Sequence, residues 1–131
     1  MANKNKGSNV ERELIQMFHK SGWAPLRVAG SGSAHTPTVD IIAGKKGRIL
    51  AIECKSSIKN KIYISKEQIS GLVEFGDTFG AEKWIGMRYN RKEWWFLKPG
   101  QLKNTGMNLS GSLTLASSVG ITFEELIKEK F

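Results

Sequence analysis

Apolar and polar positions along the chain follow two periods, one helical and one of two residues. Val10, Leu14, Met17 and Phe18 recur at helical spacing up to the stop at Ser21-Gly22. Ser8, followed three residues later by Glu11, reads as a capping box, so a helix is predicted over 9–20. A short strand follows near 24–29, then a stretch of small and polar residues from Gly30 to Pro37, then a strand Thr38–Ala43. Gly44-Lys-Lys-Gly47 is a hairpin signal, and the chain returns as a strand from Arg48 to Lys55. After a polar loop, Ile62–Ile64 is a brief strand. Ser65 and Gln68 then cap a helix that carries Ile69, Leu72, Val73 and Phe75 to about Phe79, with Gly80 as its stop. Gly71 and Gly76 weaken this helix intrinsically, so packing must hold it. Strands are predicted over 83–89 and 93–97, and Thr122 with Glu125 caps a short final helix. The segment 101–120, rich in Ser, Gly, Thr and Asn, carries no assignment. The sum is an α/β protein: one domain over 1–131 with a central mixed β-sheet flanked by helices.

Charge sharpens this picture. Lys and Arg number 20 against 12 Asp and Glu, a net charge of +8, and residues 1–66 hold twelve basic and four acidic side chains while 67–131 hold eight of each. An electropositive half attracts polyanions, nucleic acid first, and such binding weakens with salt. Solubility alone is the plain alternative, and a membrane surface is disfavoured because no basic amphipathic helix is evident. An apolar fraction of 40% excludes disorder throughout. No apolar run is long enough for a membrane span and MANKNKGSN has no signal-peptide core, so a cytoplasmic site is expected, at the nucleoid or as an intracellular viral product. Cys54 is the single cysteine and reads as a buried, reduced thiol.

The chemistry lies in the hairpin. Asp40 interrupts an apolar strand, and Glu53 and Lys55 occupy alternate positions of the next, on one face. With Gly44–Gly47 as a four-residue loop, Ala43 pairs with Arg48, Asp40 lies opposite Ala51, and Glu53 is its diagonal neighbour at roughly 7 Å between β-carbons. Two carboxylates so placed can share Mg²⁺, with Mn²⁺ as substitute, and leave the remaining positions to water and phosphate oxygens. Lys55 could orient water or offset developing negative charge. The alternative is a surface ion network in which Lys55 and Arg48 neutralise the pair. Glu11 is explained by its capping role, but a helix start near the strand ends could also bring it to the metal and Arg12 to a phosphate. Arg27, in an otherwise apolar strand, either snorkels or binds. The loop Gly30–Ser33 could receive a phosphate, move as a flap or simply link. His35, alone in that loop, argues for neither a ligand nor a base.

The motifs Gly7-x3-Glu11-Arg12-Glu13-Leu14, Arg27-x-Ala29-Gly30-Ser31, Asp40-Ile-Ile-Ala-Gly44 and Ile52-Glu53-Cys54-Lys55, followed by Leu72-Val-Glu-Phe75-x3-Phe79-Gly80, resemble the archaeal Holliday-junction resolvases. The likeness spans roughly residues 6–98, and nothing in 104–120 matches. It implies a restriction-endonuclease-like domain and a homodimeric, Mg²⁺-dependent endonuclease that nicks opposed strands of a four-way DNA junction. By the same resemblance Asp40, Glu53 and Glu11 would be metal carboxylates, Lys55 the catalytic lysine and Ser31 part of a catalytic loop. Arg12, Arg27 and Gly30 would meet DNA, with Lys4 and Lys6 on a flexible basic arm over 1–7. Phe75 and Phe79, one helical turn apart, would form the dimer face; otherwise they are monomer core. Two other functions share these residues: a nuclease of ordinary duplex or flaps, and a non-catalytic DNA-binding module whose carboxylates are structural.

Overall fold

The computed structural model describes residues 2–29 and 36–128, with side chains from Asn9 onward. Helix α1 spans Ala2–Lys20. It begins upstream of the predicted start, so Ser8 lies inside the helix and cannot cap it; a cap residue needs extended backbone, whereas here the preceding turns supply the carbonyls. Residues 2–7, expected as an arm, are therefore its first turns. At the other end Trp23 N–H bonds Phe18 O (3.0 Å) and Gly22 N–H bonds His19 O (3.2 Å), with Gly22 at φ 83, as a left-handed helix stop requires.

Strand β1 (Ala24–Arg27) pairs with β2 (Ile41–Lys45), which returns through the hairpin to β3 (Arg48–Ser57). Lys46 and Gly47 both take positive φ (47 and 87), so the turn has two residues rather than four. Lys45 pairs with Arg48 and Ile41 with Ile52, a register two residues away from the predicted one. Asp40 precedes β2, and its N–H bonds Ile52 O at 3.1 Å; Ile52 is already the partner of Ile41, so the regular register ends before Asp40. Glu53 and Lys55 still share one face of β3, but parity does not carry over to Asp40, because Val39 and Ile41, two positions apart, pack into different core clusters.

β4 (Lys61–Ser65) leads into α2 (Lys66–Phe79), whose Ser65–Gln68 capping box and left-handed Gly80 stop are present as predicted. β5 (Glu82–Tyr89) runs parallel to β3 and β6 (Glu93–Leu97) returns beside it, completing a mixed five-stranded sheet in the order β1-β2-β3-β5-β6. The unassigned segment folds into β7 (Lys103–Asn104), β8 (Asn108–Ser112) and α3 (Leu113–Val119), and α4 (Phe123–Leu126) is capped by Thr122 and Glu125. β4, β8 and β7 form a second, three-stranded antiparallel sheet.

The central sheet buries both faces. Val10, Leu14 and Phe18 of α1 and Phe123 and Leu126 of α4 pack on one side against Ile41, Leu50, Ile52 and Phe96. On the other side Leu72 of α2, Ile62 and Ile64 of the small sheet and Ala116 of α3 cover Ala51, Ile85 and Met87. Glu53 and Lys55 alternate with Ala51 along β3, so they emerge on this second side where the apolar cover ends.

Candidate active site

Asp40 is 7% exposed and Glu53 8%, and among the described residues the other charged side chains are less buried. Two acids are held here against the cost of burying like charges. Asp40 is oriented by the backbone: Cys54 N–H donates to its Oδ2 at 2.8 Å. Glu53 has its carboxyl pushed up to about 8, first by burial and then by the charge of Asp40, with Lys55 pulling it down and Glu11 adding to the rise. Glu11 is itself raised, by burial and by Asp40, against the opposing pull of Arg27 and Arg12. The Cys54 thiol, half-buried against the α1-side core, is pushed well above its usual range by burial and by the same three acids. It is a free cysteine, less fully covered than the buried thiol expected.

The three predicted acids and Lys55 therefore share one electrostatic neighbourhood built from α1, β2 and β3. Glu11 enters it through a partner that the capping box did not foresee: Arg27 Nε donates to Glu11 Oε1 at 2.7 Å, joining β1 to α1. Arg27 thus does not merely snorkel. The surface-network alternative loses its second cation, since Arg48 pairs with Glu82 at 2.7 and 3.0 Å and donates to Leu126 O. Arg12 is exposed beside Glu11. Gly30, Ser31 and His35 lie outside the described residues. Lys4 and Lys6 fall on the first turns of α1, and their side chains lie outside the described set.

Sequence reasoning missed one anchor. Glu13 accepts from Trp94 Nε1 at 2.6 Å and lies 3.0 Å from Arg88 Nε, tying α1 to β5 and β6 two residues from Glu11. No local pattern announces a contact between positions so far apart in the chain.

Among the described residues no three His, Cys, Asp or Glu side chains converge as a ready-made metal cage. The donor set instead offers the paired carboxylates Asp40 and Glu53, with Glu11 engaged by Arg27 beside them. That suits Mg²⁺, which binds through one or two carboxylates and leaves its other positions to water and substrate phosphate. The raised Glu53 carboxyl fits the same ion, because a divalent cation offsets the charge that burial opposes. Phe75 and Phe79 stack at 5.4 Å between ring centroids; Phe75 packs on the core while Phe79 is 51% exposed, so the pair is only half accounted for by the monomer.

Comparison with known proteins extends the likeness beyond residue 98. The chain is 43% identical over 103 residues to the crossover junction endodeoxyribonuclease Hjc of Methanocaldococcus jannaschii, covering 79% of this chain and 73% of that protein. It is 36% identical to the Archaeoglobus fulgidus protein of the same name, covering 97% and 98% of the two chains, and 40% identical to that of Sulfolobus acidocaldarius, covering 98% and 90%. The solved structure of Archaeoglobus fulgidus Hjc, a Holliday junction resolvase, superposes with a TM-score of 0.84 at 32% identity, covering 92% of this chain and 98% of that one. The family model described as archaeal Holliday junction resolvase (Hjc) matches residues 2–131, the small sheet included, and this chain belongs to that family.

Proposed function

We propose that this chain is a structure-selective endodeoxyribonuclease that resolves four-way DNA junctions, hydrolysing phosphodiesters with Mg²⁺ and placing paired nicks in two opposed strands. The observation that carries the reading is the buried Asp40 and Glu53 pair with Lys55 on the same strand face, in a chain of the resolvase family. Asp40 and Glu53 would hold the ion, which when bound supplies Lewis-acid polarisation of phosphate and water. Lys55 offsets the charge that builds on the non-bridging oxygens as water attacks in line. The water oxygen bonds phosphorus while the bond to O3′ breaks; O3′ leaves as a hydroxyl after gaining a proton, and the phosphate stays on the 5′ end. Glu11 holds the Arg27 guanidinium beside the pair, and Arg27 with exposed Arg12 positions the flanking phosphates.

One such site cuts one strand. Symmetric resolution needs two, and the stacked, half-exposed Phe75 and Phe79 offer the face for a second copy. The test is incubation of the pure protein with a mobile four-way junction and Mg²⁺, with an EDTA control. Paired nicks that vanish with EDTA and with Asp40→Asn are expected. Absence of nicks, or cleavage indifferent to Asp40→Asn, rejects the reading.

A further inference from the structure

The small sheet has a face that the carboxylate site does not use. Along β4, Ile62 and Ile64 are buried while Lys61 and Tyr63 are exposed, so the strand shows one face to the core and one to solvent. Tyr63 pairs with Ser110 and Ser110 with Lys103, which sets Tyr63 and Lys103 in one row across the three strands on that outer face. Lys61, one pleat away, places its ammonium 5.4 Å from the centre of the Tyr63 ring. Tyr63 is 55% exposed. Neither Lys61 nor Lys103, nor the neighbouring Lys59 and Lys66, lies within 4.0 Å of a carboxylate among the described residues, so four exposed cations go without an acidic partner.

The opposite, core-facing side of the small sheet packs near the strand that carries Lys55. Lys55 pairs laterally with Met87 of β5, and Met87 sulfur would lie 3.0 Å from a Cβ placed on Gly111 of β8. Tyr89 locks the same contact by donating its hydroxyl to Gly111 O at 2.9 Å. Met87 thus bridges the neighbourhood of Lys55 and the inner side of the small sheet, which packs on the same side of the central sheet.

We propose that the outer face of the small sheet, formed by Lys61, Tyr63 and Lys103, is a second DNA-contact surface that grips the sugar-phosphate backbone of a duplex arm beyond the cleaved phosphate. The proposal rests on the nuclease reading above and assigns it a binding surface outside the carboxylate site. Unpaired cations match phosphates in charge, and a tyrosine hydroxyl is a backbone donor without sequence preference. Such contacts add affinity and register without chemistry.

The experiment is fluorescence anisotropy of a labelled four-way junction in EDTA, titrated at several salt concentrations. Each lysine that meets a phosphate contributes about 0.9 to the slope of log affinity against log salt. The double variant Lys61→Gln/Lys103→Gln should flatten that slope by about 2 for each protomer in contact, and weaken binding at low salt by roughly 10- to 100-fold. Tyr63→Ser should weaken binding with the slope retained. Single-turnover cleavage at saturating protein should stay at the wild-type rate, which separates this face from the catalytic one. A double variant with wild-type slope and affinity, from a preparation that still binds and cuts junctions, overturns the proposal and leaves the nuclease reading standing. Lost cleavage with unchanged affinity overturns it as well. Wild-type protein that binds no junction sinks both.

Discussion

Replacing Glu53 by Gln should stabilise the metal-free protein at the pH where it destroys the enzyme. The folded carboxyl sits at about 8, against 4.5 for the exposed group, because burial and the charge of Asp40 oppose its ionisation. Between those values the folded chain holds a proton that the unfolded chain has released, so stability falls as pH rises, by about 1.4 kcal/mol for each unit. Glutamine has the shape of the protonated acid and carries no such slope. In EDTA the two proteins should be nearly level at pH 4.5 and diverge to about 4 kcal/mol in favour of the variant at pH 8. Urea unfolding at both pH values reads the gap directly, and in thermal melts it corresponds to about 10 °C or more. Millimolar Mg²⁺ should then raise the wild type towards the variant at pH 8 and do little for the variant, since a ligand stabilises only the state that binds it. A gap that is the same at pH 4.5 and 8, or equal stabilisation of both proteins by Mg²⁺, refutes the picture of a charge held at a cost for a cation.

Lys55→Arg should keep charge and binding yet lower single-turnover cleavage by about a hundredfold, because the planar guanidinium differs from the ammonium in shape and hydration; near-normal turnover would remove Lys55 from the chemistry. Phe79→Ala should weaken self-association by about 1–3 kcal/mol, and light scattering that finds the wild type monomeric at micromolar concentration would defeat the dimer. The two glycines of α2 should respond in opposite senses. Gly71→Ala meets open space and should gain up to about 1 kcal/mol of helix stability. Gly76→Ala would set its Cβ 2.3 Å from Lys83 Cγ and should cost about 1–3 kcal/mol, a loss that Lys83→Ala relieves; thermal melts distinguish the pair.

Much of the fold was legible because its signals are local. The Ser65–Gln68 box, the Gly80 stop, and the parity that puts Glu53 and Lys55 on one face each depend on a few adjacent residues. The failures share a different cause. Ser8 and Glu11 carry a capping pattern, but the helix runs through them and Glu11 is claimed by Arg27, sixteen positions away. Gly44–Gly47 has glycines at both ends and reads as a four-residue loop, whereas the positive φ of Lys46 and Gly47 closes it in two. Within 101–120, β8 buries Ser110 and Gly111, residues with no apolar signature. Gly111 is inside because Met87 and the Tyr89 hydroxyl press on it, so its burial is decided by contacts across the molecule and not by its own side chain.

The charges of substrate and site are opposed, and this divides the work between them. A chain of net charge +8 attracts a polyanion, yet the proposed reaction point holds two buried carboxylates that repel phosphate. Binding must therefore come from cations placed around the acids: Arg12 and Arg27 near them, and the unpaired lysines of the small sheet farther out. Chemistry must come from whatever neutralises the acids themselves. The Cys54 backbone N–H helps to fix Asp40 without adding a full charge to the site. A lysine or arginine bound tightly to both acids would satisfy them permanently, lower the Glu53 carboxyl towards its ordinary value, and leave nothing for a divalent cation to offset. Lys55 pulls that carboxyl down without outweighing burial and the charge of Asp40, and this incomplete compensation keeps the site receptive.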